Sequence, residues 1–232
     1  MHDVHYIYGI SCKFTPFRFS CAKTRQRIAR RQGNPQDMTA GDDMQARMMH
    51  AYRLHKSVIL VGMMGAGKTA VGTATARMLG VPFLDSDDEI ARAARRTIAE
   101  IFERDGEAFF RARESEVLGR LLQGEPVVLS TGGGAFLNAQ NRAMIKDAGV
   151  AVWLRADLDL LWQRVRHKTT RPLLRTSDPR ATLSQLFAAR TPIYALADLV
   201  VDAVPDLSVD GMAQKVIAAL ATRPDVLAEV GA

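Results

Sequence analysis

The chain has 232 residues, 47% of them hydrophobic and 24% charged, the balance of an ordinary folded protein with enough apolar material for one substantial core. Of its formal charge of +6, residues 1–53 carry +5, from nine Lys/Arg against four Asp; the remainder is close to neutral, which argues against a nucleic-acid-binding surface on the folded body. Both cysteines, Cys12 and Cys21, also lie in that stretch, so the body has neither a disulfide framework nor a thiolate metal site, and every apolar run is broken by charge well short of the roughly 18 residues of a membrane span.

Residues 1–53 open with aromatics and His, become Arg-rich over 23–31 and turn polar through Gly33, Asn34 and Pro35. They lack the apolar segment and small-residue cleavage site of a secretory signal, while the Arg-rich, acid-poor start also fits an organelle transit peptide, with little Ser. The expectation is a basic, disordered extension ending at 53, with Met38, Met44, Met48 and Met49 as alternative starts, and a reducing, cytoplasmic setting.

From Ser57 onward, short β-branched runs alternate with helical periodicity, the pattern of an α/β domain around a parallel sheet. The pattern predicts strands over 57–61, 81–85, 127–130, 150–154 and 199–202. Helices are expected over 68–79, twice within 87–122, and over 138–148, 158–167, 183–197 and 209–221. Residues 168–180 stay polar and basic and contain Pro172 and Pro179, so they read as a long mobile loop.

Between the first strand and first helix stands Gly62-Met63-Met64-Gly65-Ala66-Gly67-Lys68-Thr69, which matches G-x-x-x-x-G-K-[ST] in the required context. Such a loop turns its N–H groups inward and sets a helix N-terminus behind them, a cradle for the phosphates of ATP. Gly65, Ala66, Gly67, Lys68, Thr69 and the following Ala70 are the candidate ATP contacts, Lys68 reaching the β- and γ-phosphates and Thr69 a magnesium ion. The bland alternative is a glycine-rich turn with an exposed lysine, and the motif alone does not say where the phosphoryl group goes.

Two further features fall near the carboxyl ends of predicted strands, the edge on which open α/β sheets bind ligands. Asp85-Ser86-Asp87 follows the second strand, its two carboxylates on one side of an extended segment, although Asp87 or Asp88 could equally cap the next helix. Gly132-Gly133-Gly134 follows the third, where glycines let a ligand approach the main chain. Arg111 lies on a helix expected to begin near Gly106, with Glu114 three residues on; alone, that pair is usually a solvated salt bridge. Arg171 beside Pro172, and Arg190 beside Thr191-Pro192, are unremarkable singly.

Together these motifs resemble the shikimate kinases: a P-loop, Asp-x-Asp after strand two, triple glycine after strand three, Phe-Arg on the intervening helix, Arg-Pro-Leu-Leu, and Arg-x-Pro-x-Tyr. The likeness covers residues 54–221. It implies a three-layer α/β/α P-loop kinase with a five-stranded parallel sheet, over residues 54–225, a helical substrate-binding region over 86–115, a lid over 167–180 and a tail over 226–232. It implies transfer of the ATP γ-phosphoryl to the 3-hydroxyl of shikimate, on the route to chorismate and aromatic amino acids. Carried over by motif, Asp87 holds shikimate hydroxyls and assists deprotonation. Arg111, Arg190 and the glycines 132–134 bind the substrate, the arginines through its carboxylate, and Glu114 orients Arg111. Asp85 and Thr69 hold Mg2+, Arg171 closes the lid over the γ-phosphate, and Arg164 lies along the adenine.

The expected partners are shikimate and ATP, with no nucleic acid and no membrane, for a monomeric enzyme. Where the family commonly places a Pro near the adenine, this chain has Ser208, with Pro205 slightly early. The alternative is a related small-molecule kinase, for gluconate or a nucleotide; a nucleotide acceptor needs a base pocket, and a neutral polyol needs no pair of arginines.

Overall fold

The computed structural model describes residues 52–167, 172–174 and 176–230. The expected N-terminal extension falls almost wholly outside the described residues, as does Arg171.

Among the described residues the framework is a five-stranded, all-parallel sheet in the order β3-β4-β2-β5-β6. Its strands are β2 (Ser57–Val61), β3 (Phe83–Asp85), β4 (Val128–Ser130), β5 (Gly149–Arg155) and β6 (Leu199–Asp202). The central strand β2 is Ser-Val-Ile-Leu-Val, buried at every position, because helices cover both faces of a parallel sheet and leave no side for polar alternation. All five strands answer to predicted runs, with β3 and β4 shorter and β5 longer than expected.

Among the described residues, seven α-helices accompany them: α1 (Lys68–Leu79), α2 (Ser86–Ala94), α3 (Ile98–Leu122), α4 (Ala139–Ala148), α5 (Leu158–Val165), α6 (Pro179–Tyr194) and α7 (Val209–Ala221). Two differences from the sequence reading have clear causes. The helix carrying Arg111 begins at Ile98, where Thr97 and Glu100 form a reciprocal capping box; Gly106 is a break within it, at φ 80 and ψ 172. Pro179, read as part of a loop, starts α6: the first helical position needs no N–H, and Asp178 supplies the cap by accepting from Ala181 N at 3.0 Å. Residues 172–174 form a short 3-10 turn.

A second pairing has no counterpart in the predicted elements. Strand β1 (Tyr52–Leu54) runs antiparallel to β7 (Leu227–Glu229), and the adjoining Val226 and Leu227 are buried in the main core. The ladder crosses both boundaries that the sequence suggests, near 54 and near 225. A smaller cluster of Ile90, Ile101, Phe110 and Val117 gives the α2–α3 region a packing centre of its own. No helix among the described residues is long and apolar enough to cross a membrane.

This topology creates the site. The chain leaves β2 toward β3 on one side and leaves β4 toward β5 on the other, so the loops after neighbouring β2 and β4 diverge and open a crevice at their carboxyl ends. Thr131 pins one loop to the other strand, its N–H and hydroxyl donating to Leu60 O at 3.3 and 3.0 Å.

Candidate active site

The loop from Gly62 to Thr69 joins β2 to α1 as the motif requires. Gly62, Gly65 and Gly67 have φ of 136, 85 and 92°. Gly65 is doubly constrained, since a β-carbon there would also stand 2.7 Å from Val165 and 3.3 Å from Leu161 O. Lys68 Nζ donates to Gly62 O at 2.9 Å and to Met63 O at 3.1 Å, folding back over the loop it follows. Thr69 and Ala70 are exposed in the first turn of α1. Arg164, on α5, donates to Gly65 O at 3.3 Å, which places its guanidinium beside the same loop.

Asp85 resolves the capping ambiguity. It is the N-cap of α2, accepting from Asp87 N at 3.0 Å through Oδ1, while its Oδ2 accepts from Thr69 Oγ1 at 3.0 Å. Asp87 is thereby released from capping. Its Oδ1 is buried and has no hydrogen-bond partner among the described residues. Desolvation, followed by the charge of Asp85, raises its pKa above the usual carboxylate value, against the opposing pull of Lys68 and Arg111.

The triple glycine occupies the loop after β4, and its surroundings require small residues. A β-carbon on Gly132 would stand 2.8 Å from Asp87 Oδ1 and 3.1 Å from Glu114 Oε1, and one on Gly134 would overlap the Arg111 guanidinium. Gly132 N donates to Ser86 Oγ at 3.2 Å. On the far side, Gly133 O accepts from Tyr194 Oη at 2.5 Å and from Arg190 Nη1 at 3.5 Å. Gly62 O lies 3.8 Å from the β-position of Gly133, so the phosphate loop and the triple glycine abut.

Arg111 and Glu114 form more than a solvated pair. Glu114 is 1% exposed and its Oε2 accepts from Arg111 Nη1 at 2.9 Å; Glu107 takes Nε and Nη2 at 3.3 and 3.1 Å. Burial raises the Glu114 pKa, with Arg111 drawing it back down. The guanidinium is thus held from two sides and laid over Gly134.

The structure therefore assembles Gly65, Ala66, Gly67, Lys68, Thr69, Asp85, Asp87, Arg111, Gly132, Gly133, Gly134 and Arg190 around one crevice, with Arg164 at its edge. Arg171 lies outside the described residues. Ser208 is the N-cap of α7, accepting from Gly211 N at 3.0 Å, a capping role that explains Ser at this position. Three contributors were given no role in the sequence reading: Ser86, Glu107 and Tyr194, the last although it closes the Arg-x-Pro-x-Tyr motif. For Tyr194 a signal was present, since it follows Arg190 by four residues on a predicted helix and so shares its face. For Ser86, buried between two aspartates, there was none.

The family model for shikimate kinase matches residues 64–221. The shikimate kinase of Ruegeria pomeroyi is 67% identical over 177 residues, covering 76% of this chain and 91% of that protein. That of Cereibacter sphaeroides is 63% identical over 198 residues, covering 85% and 94%. Among solved structures, the shikimate kinase from Acinetobacter baumannii in complex with shikimate is similar with a TM-score of 0.67 and 41% identity, over 70% of this chain and 90% of that one. A match of this extent, with the phosphate loop and the triple glycine abutting at one edge of the sheet, places the chain in a single family: it belongs to the shikimate kinases.

Proposed function

We propose that this chain transfers the γ-phosphoryl group of ATP to the 3-hydroxyl of shikimate, giving shikimate 3-phosphate and ADP. One observation carries the reading: Arg111 and Arg190 arrive from different helices on either side of the triple glycine, beside a phosphate loop and an Asp87 oxygen without a hydrogen-bond partner among the described residues. Two guanidinium forks converging on half-buried main chain suit a carboxylate. The buried Asp87 oxygen suits a hydroxyl that must lose a proton.

In this reading the donor half is Gly65, Ala66, Gly67, Lys68, Thr69 and Ala70, with Arg164 along the adenine and Arg171 closing on the γ-phosphate. Lys68 moves from the Gly62 and Met63 carbonyls onto the phosphates. The acceptor half is Asp87, Arg111, Arg190 and the main chain at 132–134, with Glu114 and Glu107 orienting Arg111. Asp87 aligns the attacking oxygen and accepts its proton. Phosphoryl transfer asks mainly for alignment and charge neutralisation, and these groups supply both.

A kinase of this kind uses a divalent metal with ATP, here Mg2+. Thr69 Oγ1 and Asp85 Oδ2 are hard oxygen donors beside the phosphate cradle, and so few that the ion would keep phosphate and water as its other ligands, as Mg2+ prefers. When bound, it neutralises charge on the β- and γ-phosphates. The same reading makes the protein a monomer of the cytoplasm, acting on two small molecules and on neither nucleic acid nor membrane, with residues 86–115 as the substrate-binding region and 167–180 as a lid.

The test is a coupled ADP-release assay on the purified protein with shikimate, gluconate and nucleoside monophosphates. Shikimate alone should stimulate release. Stimulation by gluconate alone would overturn the proposal in favour of the related sugar-acid kinase.

A further inference from the structure

Tyr194 is a buried polar group beside the site that the transfer described above does not use. It lies one turn after Arg190 on α6 and on the same face. Its side chain is 1% exposed, with the ring packed near Trp153 at a centroid distance of 6.3 Å. Trp153 in turn lies 3.2 Å from the β-position of Gly62, so the indole stands between the Tyr194 ring and the phosphate loop. Its hydroxyl donates to Gly133 O at 2.5 Å, the carbonyl that also receives Arg190 Nη1 at 3.5 Å.

These two contacts are ranked against their intrinsic strengths. A charged guanidinium N–H normally closes to about 2.7–2.9 Å on an available oxygen and outcompetes a neutral donor. Here the phenol makes the short bond and the guanidinium stands at the limit of hydrogen bonding. An oxygen whose electron density is already drawn into a short O–H bond is a weaker acceptor for a second donor. Arg190 is therefore held beside the triple glycine by a long contact to the Gly133 carbonyl and by its interaction with the Tyr194 hydroxyl, from where its fork can turn to a bidentate carboxylate.

We infer that Tyr194 is a positioning residue for the acceptor: by occupying the Gly133 carbonyl it prevents Arg190 from closing on that carbonyl and keeps its guanidinium open to the acceptor's carboxylate. The inference rests on the functional reading above, in which Arg190 takes that carboxylate.

Tyr194→Phe removes the hydroxyl and keeps the buried ring. With one hydrogen bond's worth of aim lost, the shikimate KM should rise about tenfold, with kcat and the ATP KM within about twofold, since the nucleotide half is untouched. Arg190→Ala should also raise the shikimate KM, and the double variant Y194F/R190A no further, because the hydroxyl acts through the guanidinium. With the carboxamide analogue of shikimate, Y194F and the unmodified protein should behave alike. The inference is overturned by an unchanged shikimate KM in Y194F, an equal rise in its ATP KM, additive effects in the double variant, or a Y194F protein too unstable to assay, since a hydroxyl that only aims Arg190 is not needed for folding. A different result separates the two levels: if the unmodified protein shows no shikimate-dependent ADP release, the functional reading fails first.

Discussion

Asp87 and Glu114 converge on the α-carbon of Gly132, Oδ1 of the one and Oε1 of the other standing 2.8 and 3.1 Å from where a β-carbon would be. Both oxygens are buried without a hydrogen-bond partner among the described residues, and burial raises both pKa values. Their other surroundings divide them. Glu114 gives its second oxygen to Arg111, whereas Asp87 feels the charges of Asp85 and Asp88, opposed by those of Lys68 and Arg111. One acid is tied to Arg111; the other, in the proposed reading, offers its unpartnered oxygen to the substrate hydroxyl.

Gly132→Ala should separate these acids from the acceptor. The new methyl group meets Asp87 Oδ1 at 2.8 Å, below van der Waals contact, and the carboxylate must give way. A displacement of that kind costs on the order of 10²-fold in rate. Steady-state kinetics should show kcat falling by about that factor with the ATP KM little changed; an unaltered kcat would mean that Asp87 need not stand where it does.

Asp87→Asn should trade activity for stability. Loss of the base is expected to cost roughly 10²–10⁴-fold in kcat. For stability, a carboxyl whose folded pKa is raised favours the folded state only while protonated, and that contribution is lost as pH rises through the folded pKa. The variant should therefore melt higher than the unmodified protein at neutral pH and alike near pH 3, as read by thermal denaturation across pH. A lower Tm for the variant at pH 7 would contradict the burial cost assigned to Asp87. The acid limb of the unmodified protein's kcat/KM profile should lie above the ordinary carboxylate range.

Arg111→Ala removes both the proposed substrate contact and the partner of a buried acid. The shikimate KM should rise steeply with ATP binding unchanged, and stability should fall by about 3 kcal/mol as Glu114 is left buried and unpaired. Adding Glu114→Gln should recover much of the Tm while leaving the KM high. Recovery of both, or of neither, would show that the two residues are not coupled in this way.

Removing residues 226–232 should destabilise a domain whose functional groups all lie elsewhere. Val226 and Leu227 are 0% and 2% exposed, and β7 is the partner of β1. Losing two such side chains from the core costs about 3–6 kcal/mol, on the order of 10 °C in Tm for a domain of this size. Truncation after Asp225 with a Tm within about 2 °C of the full chain would show the ladder to be dispensable.

Much of the fold was legible because it is written locally. The β-branched run at 57–61, the phosphate loop and the helix after it form a contiguous strand–turn–helix whose glycines and lysine announce their chemistry. The central parallel strands β2, β4 and β5 are short apolar runs because both faces are covered, a condition visible in composition alone. The β1–β7 ladder was not legible, since three-residue strands near opposite ends of the domain, one of them Leu-Ala-Glu, carry no period of their own and pair only because the core brings them together.

The site divides along the same line. The sequence by itself determined the residue types: a lysine after glycines for phosphate, paired aspartates after the second strand, a triple glycine, arginines for a carboxylate. Only the tertiary structure decided what each is free to do. Asp85 takes the helix cap and leaves an Asp87 oxygen without a hydrogen-bond partner among the described residues; Glu114 is buried and so grips Arg111 from within; Tyr194 reaches a carbonyl 61 residues earlier and shares it with Arg190. Hydrogen bonds and desolvation depend on distances between elements remote in the chain, and those distances are set by how the helices pack on the sheet.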